Sequence, residues 1–131
     1  MKTEGDFRAS WGGIAGVQST LAVLLARGPD GRRLPFERIV SLIAKKPVER
    51  FRIPRKGMLA VGNDADLLLL DAAQSYRLSL GRLHQRHKMS PYVGSNFGGV
   101  VRRTIRRGET IFAEGQIVAK TKGKFVRPME Y

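Results

Sequence analysis

The sequence has no cysteine, which excludes disulfide bridges, thiolate zinc sites and a cysteine nucleophile. Histidine is nearly as scarce. His84 and His87 are the only two, and no glutamate or cysteine accompanies them to complete a ligand set. No apolar run approaches the length of a membrane span, and the opening MKTEGDFRASWGG lacks the apolar stretch of an export signal. A non-membrane, untargeted, cytoplasmic chain is therefore the expectation. Acidic residues are few, with 11 Asp+Glu against 24 Lys+Arg, and the net charge of +13 attracts any polyanion, nucleic acid included. A serine-histidine-aspartate order, a nucleophile elbow, an internal repeat and a low-complexity tract are all absent.

What is present suffices for a core: 131 residues at 42% hydrophobic content read as one ordinary domain. Residues Met1 to Ser10 read as a polar lead into WGGIAG, Trp11 to Gly16. Ile14, Val17, Leu21, Leu24 and Leu25 then recur at helical spacing until Gly28-Pro29. Pro35 suits a first helical position, Phe36, Ile39, Val40 and Ile43 form the next stripe, and Pro47 breaks or restarts it. From Pro54 the pattern turns to β. Strands are predicted at Leu59–Val61, Ala65–Leu70, Tyr76–Leu78, Val100–Arg107, Thr110–Ala113 and Ile117–Ala119, with meander turns at Gly108-Glu109 and Glu114-Gly115. Between them, Gly81 to Gly99 reads as a long loop with a short helical start.

The segment GMLAVGNDADLLLLD, Gly57 to Asp71, carries most information. Gly57 and Gly62 supply permissive backbone, Asn63 and Asp64 supply turn chemistry, and Leu67 to Leu70 are too short a run for a typical helix. Asp64 and Asp66 lie on one side of a strand, where two carboxylates could bind a cation. Satisfying turn amides is the favoured reading, and Asp71 reads as a strand terminator. His84 and His87 form H-x-x-H, but structural hydrogen-bonding histidines are favoured over ligands. WGGIAG lacks both the G-x-G-x-x-G spacing and a preceding strand, so close backbone approach at a helix start is preferred to dinucleotide binding. Arg102, Arg103, Arg106 and Arg107 share one predicted strand, two to each face. No aromatic residue is interleaved with them for base stacking. A solvated edge, or an interface with acidic protein surface, is favoured there over nucleic acid.

In order, FRASWGGIAGVQSTLAVLL (Phe7 to Leu25), AKKPVERF (Ala44 to Phe51), PRKGMLAVGNDADLLLLD (Pro54 to Asp71), RHKMSPYVG (Arg86 to Gly94) and TIRRGETIFAEGQIVAKTKGKFVRP (Thr104 to Pro128) resemble the C-terminal third of an allantoinase-like cyclic amidohydrolase. Dihydroorotase and hydantoinase are the relatives. The GxxAxGxDAD pattern marks the superfamily, and WGGIAGVQ with RHKxSPY points to the allantoinase group.

The resemblance implies an α+β chain: the last helices of a (β/α)₈ metal-dependent hydrolase barrel in residues 1–53, then C-terminal strands of a small β-sandwich in residues 54–131. It implies metal-assisted hydrolysis of a hydantoin-like ring amide. In the family, binuclear zinc or a similar divalent metal, held with a carboxylated lysine, activates a hydroxide, and an aspartate shuttles the proton. The family's ligands, a His-x-His pair, that lysine, two further histidines and the aspartate, have no counterpart here. A barrel takes about 250 residues, so Met1 reads as an internal methionine just after the last ligand. The chain alone, as a split enzyme's part or a truncated frame, is then expected to hold no cofactor and to be inactive. An N-terminal barrel polypeptide or a second copy is the expected partner. Gly12 and Gly13 carry over as backbone contacts to a cyclic amide, while Asp64, Asp66, His87 and Pro91 match motif letters that are structural in the family. The alternative is a non-catalytic basic module for nucleic acid or acidic protein.

Overall fold

A computed structural model describes residues 13–26, 33–120 and 122–130. Helices come first and an antiparallel sheet follows, so the α+β order read from the sequence is observed.

The first helical stretch opens as a 3₁₀ turn, Val17–Ser19, and continues as α1, Thr20–Ala26. The predicted stripe is only partly the buried one. Ile14 and Val17 are exposed, whereas Ser19 and Ala22 are buried and Val23 and Ala26 pack on the core. A methyl side chain at Ala22 lets the helix lie close to Leu78, Leu83 and Phe97, and close approach gains more dispersion contact than a bulkier residue held further off. The predicted stop at Gly28-Pro29 lies outside the described residues.

Pro35 sits one position earlier than predicted, as the N-cap of α2, Phe36–Val40. Its carbonyl accepts the amides of Arg38 at 3.0 Å and Ile39 at 3.2 Å. The helix then widens into a π turn, Ser41–Lys45, and resumes as α3, Lys46–Phe51. Pro47 explains the widening. It cannot donate to the carbonyl four residues back, and its ring would crowd that oxygen, so the preceding turn opens and the Lys46 amide reaches five residues back to Ser41. Arg52, in the left-handed conformation at φ 50°, ends the helix.

Of the predicted strands, Leu59–Val61 does not form. It is an exposed loop between Gly57 and Gly62, because no neighbouring strand pairs with its backbone. The next two predictions merge into one strand, β1, Leu67–Arg77, which pairs antiparallel with β2, Asn96–Arg106. Asp71 is therefore inside a strand and terminates nothing. Its Oδ1 accepts the Ala73 amide at 3.1 Å, shaping the irregularity in register between Asp71 and Ser75. The meander continues in the predicted sequence through β3, Glu109–Ala113, and a shorter β4, Gln116–Ile117, each starting one residue earlier than expected, in the order β1-β2-β3-β4.

The connection from β1 to β2 starts with the expected helical turn, Leu80–Arg82. It is closed at its base by Leu78 and Ser95 (N to O, 3.0 Å) and by Gly94 and Leu78 (N to O, 2.8 Å). Against this base sits the core of Ala22, Leu78, Leu83 and Phe97. The Phe97 ring lies 5.9 Å from Tyr76 and 6.2 Å from Tyr92, and the Arg82 guanidinium stands 5.2 Å over Tyr76. Gly99, buried on β2, leaves room for Leu25 of α1 and Leu70 of β1 to meet above it.

Candidate functional site

Gly13, the described half of the predicted backbone contact, is exposed with φ +84°, and no described residue stands within 4 Å of where a Cβ would be. Gly12 and Trp11 lie outside the described residues.

The motif carboxylates are organised by a residue the sequence reading passed over. Lys56 places its Nζ 2.8 Å from Asp64 Oδ2 and also in contact with Asp66 Oδ2, and Arg55 reaches Asp64 at 3.3 Å. Asp66 Oδ1 accepts the amide of Arg107 at 2.7 Å, and the adjacent Gly108 amide donates to Ala65 O at 3.0 Å. The expectation that these carboxylates satisfy turn amides therefore holds for Asp66 and is corrected for Asp64. Asp66 satisfies a turn amide, but in the distant β2–β3 turn, and Asp64 is an ion-pair partner. Local turn chemistry falls to Asn63, whose amide donates to Ala60 O and whose side chain donates to Met58 O.

Electrostatics follow from this geometry. The hydrogen bond from Lys56 holds the Asp64 carboxyl below the usual carboxylate range. Burial would raise Asp66, but the bonds from Lys56 and the Arg107 amide prevail and lower it. Burial would likewise lower Lys56, and its bonds to Asp64 and Asp66 prevail and raise it. Lowered carboxyls stabilise the fold fully above the unfolded carboxylate value of about 3.9, and that contribution is lost as pH falls through their folded values. A raised ammonium contributes fully below its unfolded value of about 10.4 and loses the contribution as pH rises through the folded one. Urea midpoints should therefore be level around neutrality and fall below about pH 4. Asp66→Asn should lower the neutral midpoint and flatten the acid limb. An acid limb unchanged in that variant would remove Asp66 from the linkage.

The arginine strand also differs from expectation. β2 is an interior strand of the sheet and not a solvated edge. Arg102 bonds Glu114 at 2.9 Å and Asp71 at 3.4 Å, and Arg106 meets Glu109 at 3.4 Å. Arg107 lies in the following turn with φ 49°. Intramolecular carboxylates therefore take up two of the four guanidinium groups.

His84 and His87 do not converge on a metal. The His84 ring stands edge-on to Phe112 at 5.7 Å, and the hydrogen bonds at both residues run through the main chain, with His84 N–H donating to Gln18 Oε1 at 2.9 Å and His87 O accepting from Gln85. Gln18, also unanticipated, bonds Arg82 O at 2.7 Å and so fastens α1 to the β1–β2 connection. Only its polar character within an apolar stretch could have signalled it. Among the described residues no group of three or more His, Cys, Asp or Glu could hold a metal ion. The carboxylate pair that might have done so encloses the Lys56 ammonium. These residues do not fit a binuclear metal.

Between α1 and the sheet opens a cavity of about 850 Å³, with Leu21, Leu25, Leu70 and Phe112 along its apolar side and Arg102 and Arg106 along its polar one.

The chain matches no protein-family model. An allantoinase of Solibacter usitatus is 52% identical to it over 128 residues, 98% of this chain and 28% of that relative. An allantoinase of Rubrobacter xylanophilus is 47% identical over 128 residues, again 98% and 28%, and a D-phenylhydantoinase of Escherichia coli is 35% identical over 127 residues, 95% and 28%. The chain spans little more than a quarter of the length of these relatives. Among solved structures, the L-hydantoinase (dihydropyrimidinase) from Arthrobacter aurescens superposes with a TM-score of 0.80 at 33% identity, over 88% of this chain and 26% of that one. The D-hydantoinase (dihydropyrimidinase) from Thermus sp. gives 0.79 at 29% identity, over 87% and 25%.

Proposed function

We propose a function from one premise: the chain belongs to the amidohydrolase superfamily and corresponds to the C-terminal part of its allantoinase- and hydantoinase-type members. It is the frame, and not the metal centre, of an enzyme that hydrolyses a ring amide of hydantoin type. Residues 1–53 furnish the last barrel helices and residues 54–131 part of a small β-sandwich. Gly12 and Gly13 present backbone groups to the ring, since a residue without a side chain admits the closest approach. The Lys56–Asp64–Asp66 knot ties the loop after α3 to the β2–β3 turn, keeping the helical and β parts in register.

The observation that carries this reading is the match of nearly the whole chain to about a quarter of each allantoinase. The ligands that hydrolysis requires then lie on a barrel portion supplied by other residues. Co-expression with the remainder of the Solibacter usitatus allantoinase tests it, reading metal content and allantoin hydrolysis. Neither should appear with the purified chain alone, and both should appear in the co-purified complex. Hydrolysis by the lone chain, or a metal-free inactive complex, would overturn the proposal.

A further inference from the structure

Carboxylates take up Arg102 and Arg106 of β2, but another part of the fold brings cations and a ring together. The C-terminal segment folds back on the end of α3, where the Met129 amide donates to Arg52 O at 3.0 Å. There Arg52, Phe125, Arg127, Pro128, Met129 and Glu130 line a shallow concavity of about 510 Å³. Phe125 is 88% exposed, although covering such a ring would gain roughly 1.5–3 kcal/mol. Lys122, Lys124 and Arg127, close by in sequence, have no carboxylate partner among the described residues.

An accessible aromatic face among unneutralised cations is the composition that single-stranded nucleic acid selects. Every base offers a π face to the ring, and the backbone phosphates meet the cations. We propose that this concavity binds single-stranded nucleic acid, a base stacking on Phe125 while Lys124 and Arg127 meet neighbouring phosphates. Acidic protein surface would meet the cations too, but only nucleic acid would add a base-dependent contact at the ring. Glu130, on the rim, opposes an anionic ligand and provides an internal control. The inference stands apart from the ring-amide reading, because none of these residues is among the backbone contacts or the Lys56–Asp64–Asp66 knot named there.

Fluorescence anisotropy of a fluorescein-labelled oligo(dT) with the full chain tests it. Phe125→Ala should weaken binding about 5- to 160-fold, the range of one base–aromatic stack. Lys124→Gln with Arg127→Gln should reduce the slope of log K against log salt by about 1.4, as for two phosphates released from a single strand. Glu130→Gln should tighten binding, and Phe125→Trp should retain it with the new indole quenched by the bound base. Because Phe125 is exposed, circular dichroism of its variants should match the parent. Absence of binding at low salt would overturn the proposal. So would affinity insensitive to Phe125→Ala, or heparin, which has no bases, showing the same dependence on that ring.

Discussion

Phe97→Ala is expected to cost about 3–5 kcal/mol, the usual range for deleting a buried phenyl group. Phe97 is 4% exposed and touches every part of the main core: it clusters with Ala22 of α1, with Leu78 after β1 and with Leu83 in the β1–β2 connection, and its ring packs against Tyr76 and Tyr92. Few other residues can take over. Among the described hydrophobic residues only Ala22, Ile39, Leu78, Leu83 and Phe97 are buried, while large side chains such as Leu59, Val61 and Phe51 remain in solvent. Small domains are stable by roughly 5–15 kcal/mol, and a core this limited belongs at the low end. The substitution should therefore abolish the cooperative urea transition, or bring its midpoint close to zero denaturant, when followed by circular dichroism. A loss under about 1 kcal/mol, as expected of a surface position, would show that the ring does not organise the core. Phe125→Ala is the matched control, since that ring is solvent-facing and its loss should leave the midpoint in place.

Legibility in the sequence followed the range of the interactions involved. β3 and the hairpin turns before and after it were readable because alternation and glycine punctuation act over a few residues. Pro47 announced a disturbance of the helix, and the π turn before it is that disturbance. Leu59–Val61 misled because three apolar residues satisfy the local pattern of a strand, yet strand formation needs a second segment to take its hydrogen bonds. Asp64 misled for the same reason, and Asp66, which does satisfy a turn amide, gave no sign of which turn. The partners that define them lie far along the chain, with Lys56 ten residues before Asp66 and Arg107 41 residues after it. Arg102, Arg103 and Arg106 were placed on a strand correctly and Arg107 was not, and the neutralisation of Arg102 and Arg106 depends on β1 and β3 lying to either side of β2. At the candidate substrate contact, sequence similarity selected Gly12 and Gly13. The exposure of Gly13 is compatible with that choice, but composition and spacing alone offered no reason to prefer it to packing.

Gly57 and Gly62, both motif glycines, should respond very differently to alanine despite nearly equal backbone angles. Gly57 has φ +87° and Gly62 φ +88°, so each substitution incurs the left-handed penalty of about 1–2 kcal/mol for a residue with a Cβ. The surroundings then separate them. A Cβ on Gly57 would stand 2.9 Å from both Cβ and Cγ2 of Val48 and 3.2 Å from the Ala44 carbonyl. Val48 belongs to α3 and Ala44 to the π turn before it. Neither a helical backbone oxygen nor a β-branched side chain yields cheaply, so overpacking should add about 1–3 kcal/mol. A Cβ on Gly62 would meet no described residue within 4 Å. The left-handed conformation is itself tolerated here, as Arg52, Arg55, Arg107 and Glu114 all adopt it, so contact with the helix should decide the difference. Gly57→Ala should therefore be destabilising by about 2–5 kcal/mol and Gly62→Ala by no more than about 2, measured as urea midpoints at neutral pH. Adding Val48→Ala should recover part of the Gly57→Ala loss by removing the two Val48 methyl groups, including Cγ2, while the contact with Val48 Cβ remains. Equal losses at the two glycines, or no recovery in the double variant, would mean that the loop does not rest on the helix as described. The first glycine of the motif would then serve its turn alone, and the anchoring of that loop would fall entirely to Lys56, Asp64 and Asp66.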